Sequence, residues 1–199
     1  FVEELFGERL GLIRKFAVDL SAQGVELGLI GPLELPRLWT RHLVNCALVA
    51  PLLRPGRGGD VGSGAGLPGL VLAIARPDVS FILIEPMERR VEWLKAETVD
   101  LGLDNVEVLR SRAEDAEFSP WLDQVTARAV SALSKLIPIS ARLVRSGGEL
   151  LLLKGANVDR EAEAAAKAIR RARLSNVEVL TLGEEFATEP TRLFRATVD

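Results

Sequence analysis

The chain contains very few of the side chains that form cross-links or bind zinc, since its 199 residues include one cysteine and one histidine. A single cysteine excludes an internal disulfide and fits a reducing cytoplasm. One cysteine and one histidine cannot form a Cys/His zinc site, and we expect no metal site. Cys46 lies in an apolar helical pattern, which favours a buried structural thiol over a nucleophile.

Long apolar runs and excess positive charge are also absent. No apolar run approaches the length that spans a bilayer, and the N-terminus lacks the basic and apolar regions of a signal peptide. We therefore expect a cytoplasmic protein without a membrane partner. The net charge of -3 argues against an obvious nucleic-acid binder, although a local basic face is enough for phosphate contacts.

Hydrophobic periodicity predicts two helices, over residues 1–24 and 34–53, which form an N-terminal cap. Strands and helices then alternate. The predicted strands are 58–61, 79–84, 106–109, 124–126, 149–153, 177–182 and 193–198, and the predicted helices are 67–75, 86–101, 133–144 and 158–173. This alternation indicates a doubly wound, mainly parallel sheet, and the last two strands can form an antiparallel hairpin. The expected organisation is a helical cap over residues 1–55 and an α/β domain over residues 56–199.

A glycine-rich loop follows the first predicted strand, with glycines at Gly62, Gly64 and Gly66. Such a loop bends tightly and lets backbone N–H groups approach a nucleotide-like cofactor. The dinucleotide fingerprint requires Gly-x-Gly-x-x-Gly, but Leu67 occupies the place of its third glycine. A turn without a ligand is disfavoured because an acid, Glu85, ends the second strand beside this loop.

Two cofactors compete for this loop. Glu85 lies about 20 residues past it, the separation of an acid that binds ribose hydroxyls, and both NAD and S-adenosylmethionine (SAM) carry that ribose. The glycine spacing and the terminal hairpin favour SAM. The run Arg112–Ala113–Glu114–Asp115 after the third strand also favours SAM, because it places an acid where an adenine edge would lie.

Several runs along the chain resemble one family. They are Asp60 to Gly69, Arg89 to Leu94, Ser111 to Glu114, Ala127 to Ala129, and Leu153 to Gly155. Together they resemble the bacterial small-subunit ribosomal RNA guanine-N7 methyltransferases, the RsmG (GidB) family, over nearly the whole chain. The resemblance implies a class I SAM-dependent methyltransferase fold, Rossmann-like, with a seven-stranded sheet. It also implies methylation of N7 of a guanine in 16S ribosomal RNA, either in an assembling small subunit or in free RNA. We expect a monomer.

The resemblance also implies roles for individual residues. Those of the cofactor site are Gly62, Ser63, Gly64 and Leu67 along methionine and ribose, Glu85 on the ribose, Ala113 and Glu114 flanking the adenine, and Arg128 beside the cofactor. This chain departs from the family pattern at three places. It has Asn45–Cys46 where Asp–Ser is common, Glu85 where Asp is common, and Val130 where phenylalanine is common.

Guanine N7 attacks with a lone pair and has no proton to lose, so no general base is required. Catalysis then depends on alignment, and we expect Arg128 and Lys154 to position the guanine or its flanking phosphate. The alternative for Lys154 is a strand-end lysine facing solvent. The alternative for Arg128 is a structural ion pair with Glu114 or Asp123. We expect the only histidine, His42, to cap or pack against the glycine loop rather than to act in catalysis.

Basic residues on the cap and on the helix after the second strand predict a weak RNA-binding face. They are Arg9, Arg14, Lys15, Arg37, Arg41, Arg89 and Arg90. Of the three tryptophans, Trp93 is expected in the core. Two other functions stay open at this point: a SAM-dependent methyltransferase that acts on a small molecule, and a nucleotide-binding regulatory module without chemistry.

Overall fold

A seven-stranded sheet forms the centre of the computed structural model, which describes residues 2–184 and 189–199. The strands are β1 (Gly56–Val61), β2 (Val79–Ile84), β3 (Val106–Leu109), β4 (Leu122–Arg128), β5 (Val144–Lys154), β6 (Leu174–Leu182) and β7 (Thr191–Val198). Their order is β3-β2-β1-β4-β5-β7-β6. The first five strands are parallel, whereas β7 runs antiparallel to both β5 and β6. The predicted doubly wound sheet with a terminal hairpin is confirmed.

The first predicted cap helix is interrupted. It consists of α1 (Val2–Phe6), a 3-10 turn (Gly7–Arg9) and α2 (Leu10–Gln23). Gly7 has a φ of +50°, a left-handed conformation that an α-helix cannot contain. The prediction of one continuous helix over residues 1–24 is therefore wrong at this position.

The second predicted cap helix, over residues 34–53, is not a continuous α-helix either. A 3-10 helix (Pro32–Arg37), a π-helix (Leu38–Leu43), α3 (Val44–Ala47) and a 3-10 turn (Ala50–Leu52) follow one another. Pro36 lies inside the first segment and Pro51 inside the last. Because proline has no backbone N–H, neither position can donate in an α-helical ladder.

Five helices cover the sheet: α4 (Gly69–Ala75), α5 (Glu88–Asp100), α6 (Leu133–Ala141), α7 (Val158–Ala164) and α8 (Ala166–Arg171). Several predicted boundaries differ from the observed ones. The first of these helices begins at Gly69 rather than at residue 67. α6 ends at Ala141 because Val144 already belongs to β5, which is much longer than predicted. The predicted helix 158–173 is divided at Ala165, whose φ and ψ are −86° and 3°.

Alternate residues of β2 enter two apolar clusters, one on each face of the sheet. Phe81 and Leu83 join the cluster that contains Phe16 and Leu43 of the cap, whereas Ile82 joins the cluster beneath α6. This alternation follows from the pleat of a strand. The cap thus packs on one face of the sheet and shares its core, while the division at residue 55 stays a prediction. In the described part of the chain, no helix is long and apolar enough to cross a membrane.

Candidate active site

The glycine loop connects β1 to α4 at the carboxyl edge of the parallel strands. Gly62, Gly64 and Gly66 have φ values of +67°, +54° and +94°, which are conformations that favour glycine. The N–H groups of Gly62 and Ser63 donate to the Ile84 carbonyl at 2.9 and 3.2 Å. The loop is therefore anchored to the end of β2.

Asp60 connects the start of the glycine loop to its end through hydrogen bonds, a role that the sequence did not predict. The side chain is fully buried. Its Oδ2 accepts a hydrogen bond from the Gly69 N–H at 3.1 Å, and its Oδ1 accepts one from the Thr126 hydroxyl at 2.9 Å. Burial raises the pKa of Asp60 to about 6, against these hydrogen bonds. The sequence signal that could have found it is an acid near the end of the strand that leads directly into the glycine loop.

Glu85 bridges the end of β2 and the glycine loop. Its Oε2 accepts a hydrogen bond from the Gly64 N–H, and its Oε1 accepts one from the Met87 N–H, both at 2.9 Å. The side chain is buried. Each carboxylate oxygen has two lone pairs, so the group can still accept hydrogen bonds from a ribose. The placement at the switch point of the sheet is the one that a ribose-binding acid needs.

The turn after β3 carries the two residues predicted to flank adenine. Ala113 is buried and Glu114 is exposed. Arg142, which follows α6, donates to both of their carbonyl oxygens, to that of Ala113 at 3.1 Å. Because β1, β2 and β3 are neighbours in the sheet, this turn, Glu85 and the glycine loop all lie along one edge.

Two of the predicted cofactor residues turn their side chains inward. The hydroxyl of Ser63 donates to the Asp60 carbonyl at 2.9 Å, and Leu67 packs in the apolar cluster of the cap face. Their role in binding a cofactor stays a prediction, and it would have to rest on their backbone atoms.

Two further predictions about single residues are confirmed by burial. Trp93 lies in the core, and its indole N–H donates to the Ala65 carbonyl in the glycine loop at 3.0 Å. Cys46 is fully buried, and burial raises the pKa of its thiol to about 11. A thiol in that environment stays protonated and has little nucleophilic character.

Arg128, the last residue of β4, contacts the cap. Its Nη2 lies 2.8 Å from His42 Nδ1, and His42 Nε2 lies 2.8 Å from Glu34 Oε2. Asp123 bonds Arg145 instead, at 2.6 Å. His42 therefore bonds Arg128 and Glu34, and its packing against the glycine loop stays a prediction. Asp123 is wrong as a partner of Arg128, because the cap brings His42 to the guanidinium.

Lys154 ends β5, the neighbour of β4 in the sheet. Its ammonium group lies 2.8 Å from Glu161 Oε2 and donates to the Ser131 carbonyl, also at 2.8 Å. Only 9% of the side chain is exposed. The alternative of a solvent-facing lysine is therefore wrong, since the ammonium group has partners on the segments next to β5.

A cavity of about 700 Å³ opens between the cap and the carboxyl ends of β4 and β5. Its lining comprises Glu34, Arg41, His42, Asn45, Arg128 and Ala129, with residues 153–156 and 189–192. Three arginines and two carboxylates thus border a space of the size that holds a small ligand. We call this space the β4–β5 pocket.

Within residues 2–184 and 189–199, three of the seven basic residues predicted to contact RNA have acidic partners. These pairs are Lys15 with Asp19 and Asp100, Arg37 with Glu189, and Arg41 with Glu34. Their charge is partly compensated within the protein. The predicted RNA face itself stays a prediction.

Comparison with known proteins agrees with this architecture. The chain is 64% identical to the ribosomal RNA small subunit methyltransferase G of Clavibacter sepedonicus over 194 residues, 98% of this chain and 92% of that protein. It is 51% identical to the protein of the same name from Pseudarthrobacter chlorophenolicus over 198 residues, 99% of this chain and 92% of that protein.

Solved structures resemble the fold at low sequence identity. N-methyltransferase NodS from Bradyrhizobium japonicum, in complex with S-adenosyl-L-homocysteine, matches with a TM-score of 0.61 at 17% identity, over 89% of this chain and 98% of that one. A SAM-dependent methyltransferase from Aquifex aeolicus matches with a TM-score of 0.59 at 20% identity, over 82% and 93%. The family model of GidB, described as rRNA small subunit methyltransferase G, matches residues 9–189. This chain therefore belongs to the GidB family of rRNA small subunit methyltransferases.

Proposed function

We propose that this protein transfers the methyl group of SAM to N7 of a guanine in 16S ribosomal RNA. The observation that carries the proposal is the family match across residues 9–189. The family and the methyltransferase fold confirm the choice of SAM over NAD, which Glu85 left open. They also exclude a regulatory module without chemistry. A small-molecule substrate is disfavoured because the relatives are named for ribosomal RNA.

The residues at the carboxyl edge of the sheet fit SAM. A Cβ at Gly64 would meet only the Gly62 carbonyl, at 3.8 Å, so the space beside the loop is open to a ligand. We propose that the glycine loop lies along the methionine part, that Glu85 accepts hydrogen bonds from the ribose hydroxyls, and that Ala113 and Glu114 flank the adenine. Arg142 supports the last contact because it fixes both carbonyl groups of that turn.

The chemistry of methyl transfer to N7 explains why the site needs no general base. SAM supplies a sulfonium methyl group, so a bond from N7 to carbon forms while the carbon–sulfur bond breaks, and no proton leaves. The protein must therefore hold N7 in line with that methyl group. It must also admit a base that has been exposed from its RNA fold.

We propose that Arg128 positions the guanine in the β4–β5 pocket. A guanidinium group carries five N–H donors. Its Nη2 lies 2.8 Å from His42 Nδ1, and its Nη1 donates to the Arg41 carbonyl at 3.5 Å, which leaves further donors for a ligand. The N7 lone pair is the nucleophile and has to stay free of a hydrogen bond, so the donors of Arg128 would bind O6 or a flanking phosphate. Lys154 borders the same pocket, and its contact with the guanine stays a prediction because Glu161 and Ser131 hold its ammonium group.

The RNA substrate has to approach a protein with a net charge of -3. We propose that a monomer binds it through local phosphate contacts of the cap and of α5, where Arg14 and Arg89 are exposed. Phosphate contacts predict that the KM for RNA rises steeply with salt. Free 16S RNA and partly assembled small subunits, tested side by side, would identify the preferred form of the substrate.

The variant Arg128→Ala tests the proposed site. We expect kcat/KM for methyl transfer to fall roughly 100-fold, a loss typical of misplaced reactants, with little change in the thermal midpoint. Arg145→Ala is the matched control, because Arg145 lies near the opposite end of β5 and pairs with Asp123. Unchanged turnover in Arg128→Ala would contradict the assignment.

A further inference from the structure

Three side chains from separate segments form a hydrogen-bonded row at the rim of the β4–β5 pocket. Glu34 comes from the 3-10 helix of the cap, His42 from the π-helix and Arg128 from the end of β4. The two contacts in the row both measure 2.8 Å. His42 is 9% exposed, so water competes little for either ring nitrogen. This row connects the cap to the strand that carries Arg128.

The partners of the ring determine its protonation state. Arginine stays protonated and can only donate hydrogen bonds, so the Nδ1 atom facing Arg128 has to carry a lone pair. The proton of the neutral ring then lies on Nε2, where it donates to the Glu34 carboxylate. Only the neutral ring with its proton on Nε2 satisfies both neighbours.

We infer that His42 is a positioning residue, whose neutral ring accepts a hydrogen bond from Arg128 and so holds the guanidinium at the guanine pocket. This inference rests on the proposed function. His42 itself need not touch the RNA. Its role is to fix the direction of a long side chain that would otherwise sample many rotamers, which would cost conformational entropy in the transition state.

The backbone on both sides of the contact supports this role. Ala129, directly after Arg128, has a φ of +54°, a conformation that costs a non-glycine residue energy and that clusters at functional sites. His42 lies on a π-helix, a rare element that is also frequent at functional sites. Both segments are thus held in uncommon conformations where their side chains meet.

Protonation of His42 would break the contact with Arg128. An N–H on Nδ1 would face the N–H groups of the guanidinium, and two positive charges would lie side by side. The charged groups facing the ring are Arg128, Arg41 and Glu34. Burial lowers the pKa of His42 most, Arg128 lowers it further, Glu34 raises it and Arg41 lowers it slightly. The ring is therefore neutral at pH 7, and methyl transfer should fall only at pH values below the ordinary histidine pKa of 6.5.

Two substitutions at His42 distinguish the role of Nδ1 from the role of Nε2. His42→Asn places an amide oxygen near the former Nδ1, where it can accept from Arg128, and it removes the titration. His42→Gln places its amide near the former Nε2 and leaves Arg128 without that acceptor. We expect His42→Asn to keep kcat/KM within about threefold and to lose the acidic decline of the rate. We expect His42→Gln to lose about tenfold or more at every pH.

The affinity for SAM and the thermal midpoint should be similar in the two variants, because neither side chain takes part in the glycine loop. Glu34→Gln should shift the acidic decline to lower pH, since the carboxylate that raises the pKa of His42 is gone. Equal activities of His42→Asn and His42→Gln, or an acidic decline that persists in His42→Asn, would overturn the inference.

A second measurement does not depend on activity. His42 is the only histidine, so the imidazole nitrogens give one set of NMR signals. We expect the Nε2–H tautomer and a pKa below 6.5 that rises in Arg128→Met. A proton on Nδ1 at pH 7.5, or a pKa unaffected by Arg128→Met, would contradict the inference. If unaltered protein transfers no methyl group to RNA at any pH, the proposed function fails instead.

Discussion

Replacement of Asp60 by asparagine should reduce the pH dependence of the free energy of unfolding. Asp60 is fully buried beneath the glycine loop, and its pKa is raised from 3.8 to about 6. An asparagine fits the same place. Its Oδ1 can accept from the Gly69 N–H while its amide donates to Thr126, whose hydroxyl can turn to the Gly59 carbonyl, now 3.3 Å away. The closure of the loop should therefore survive the substitution.

The magnitude follows from the pKa. A carboxyl group whose pKa is higher in the folded state stabilises that state at low pH, and this stability is lost as the pH rises through the folded pKa. A difference of one unit between the pKa in the folded state and the pKa in the unfolded state corresponds to about 1.4 kcal/mol in the free energy of unfolding. Ionisation of Asp60 therefore costs the folded protein about 3 kcal/mol at neutral pH, of which about 2 kcal/mol develops between pH 4.5 and pH 7.5.

Urea denaturation at these two pH values measures the effect. The stability of Asp60→Asn relative to the unaltered protein should rise by about 2 kcal/mol from pH 4.5 to pH 7.5. Asp78→Asn is the control, because the hydrogen bond from Arg76 lowers the pKa of Asp78. That control should hardly change between pH 4.5 and pH 7.5, because Asp78 is ionised in the folded state and almost wholly ionised in the unfolded state over this range. A difference between Asp60→Asn and the unaltered protein that is the same at both pH values would refute the reasoning.

Three further predictions concern the site. A direct contact of Lys154 with RNA predicts that Lys154→Met lowers kcat/KM about tenfold more than Glu161→Gln, whereas equal losses would mean that the ammonium group acts only through its pair. Arg142→Met should weaken SAM binding about tenfold in calorimetry while kcat at saturating SAM stays unchanged, because the turn after β3 loses two hydrogen bonds; unchanged affinity would contradict this. Ala129→Gly should remove the strain of the left-handed conformation and raise the free energy of unfolding, measured in urea, by up to about 1 kcal/mol. It should also lower kcat. A decrease in the free energy of unfolding would contradict this prediction.

The sequence predicts the sheet and the cofactor edge well because their signals are local. Alternation of apolar strands with helices specifies a doubly wound sheet, and the spacing from Gly62 to Glu85 places a loop and an acid at the ends of neighbouring strands. Each of these signals lies within about 25 residues. Tertiary contacts hardly alter the strands that these signals predict, because a continuous apolar run fits only a strand that is buried on both faces of the sheet.

The partners of Arg128 could not be predicted because they depend on the path of the cap. His42 is 86 residues away along the chain, and residues 38–43, which carry it, form a π-helix rather than the predicted α-helix. No sequence period marks that change. The pairing of Lys154 with Glu161 was missed for a similar reason, since it depends on where α7 begins after β5.

The most direct test of the proposed function is the position of the methyl group in the RNA. Purified protein, 16S RNA or partly assembled small subunits, and labelled SAM are incubated, and 7-methylguanine is located by reduction and aniline cleavage of the RNA chain. The proposed function predicts one cleaved guanine that depends on SAM and is lost in Arg128→Ala. Methylation at another atom of the base, or no transfer to either form of the RNA, would contradict it.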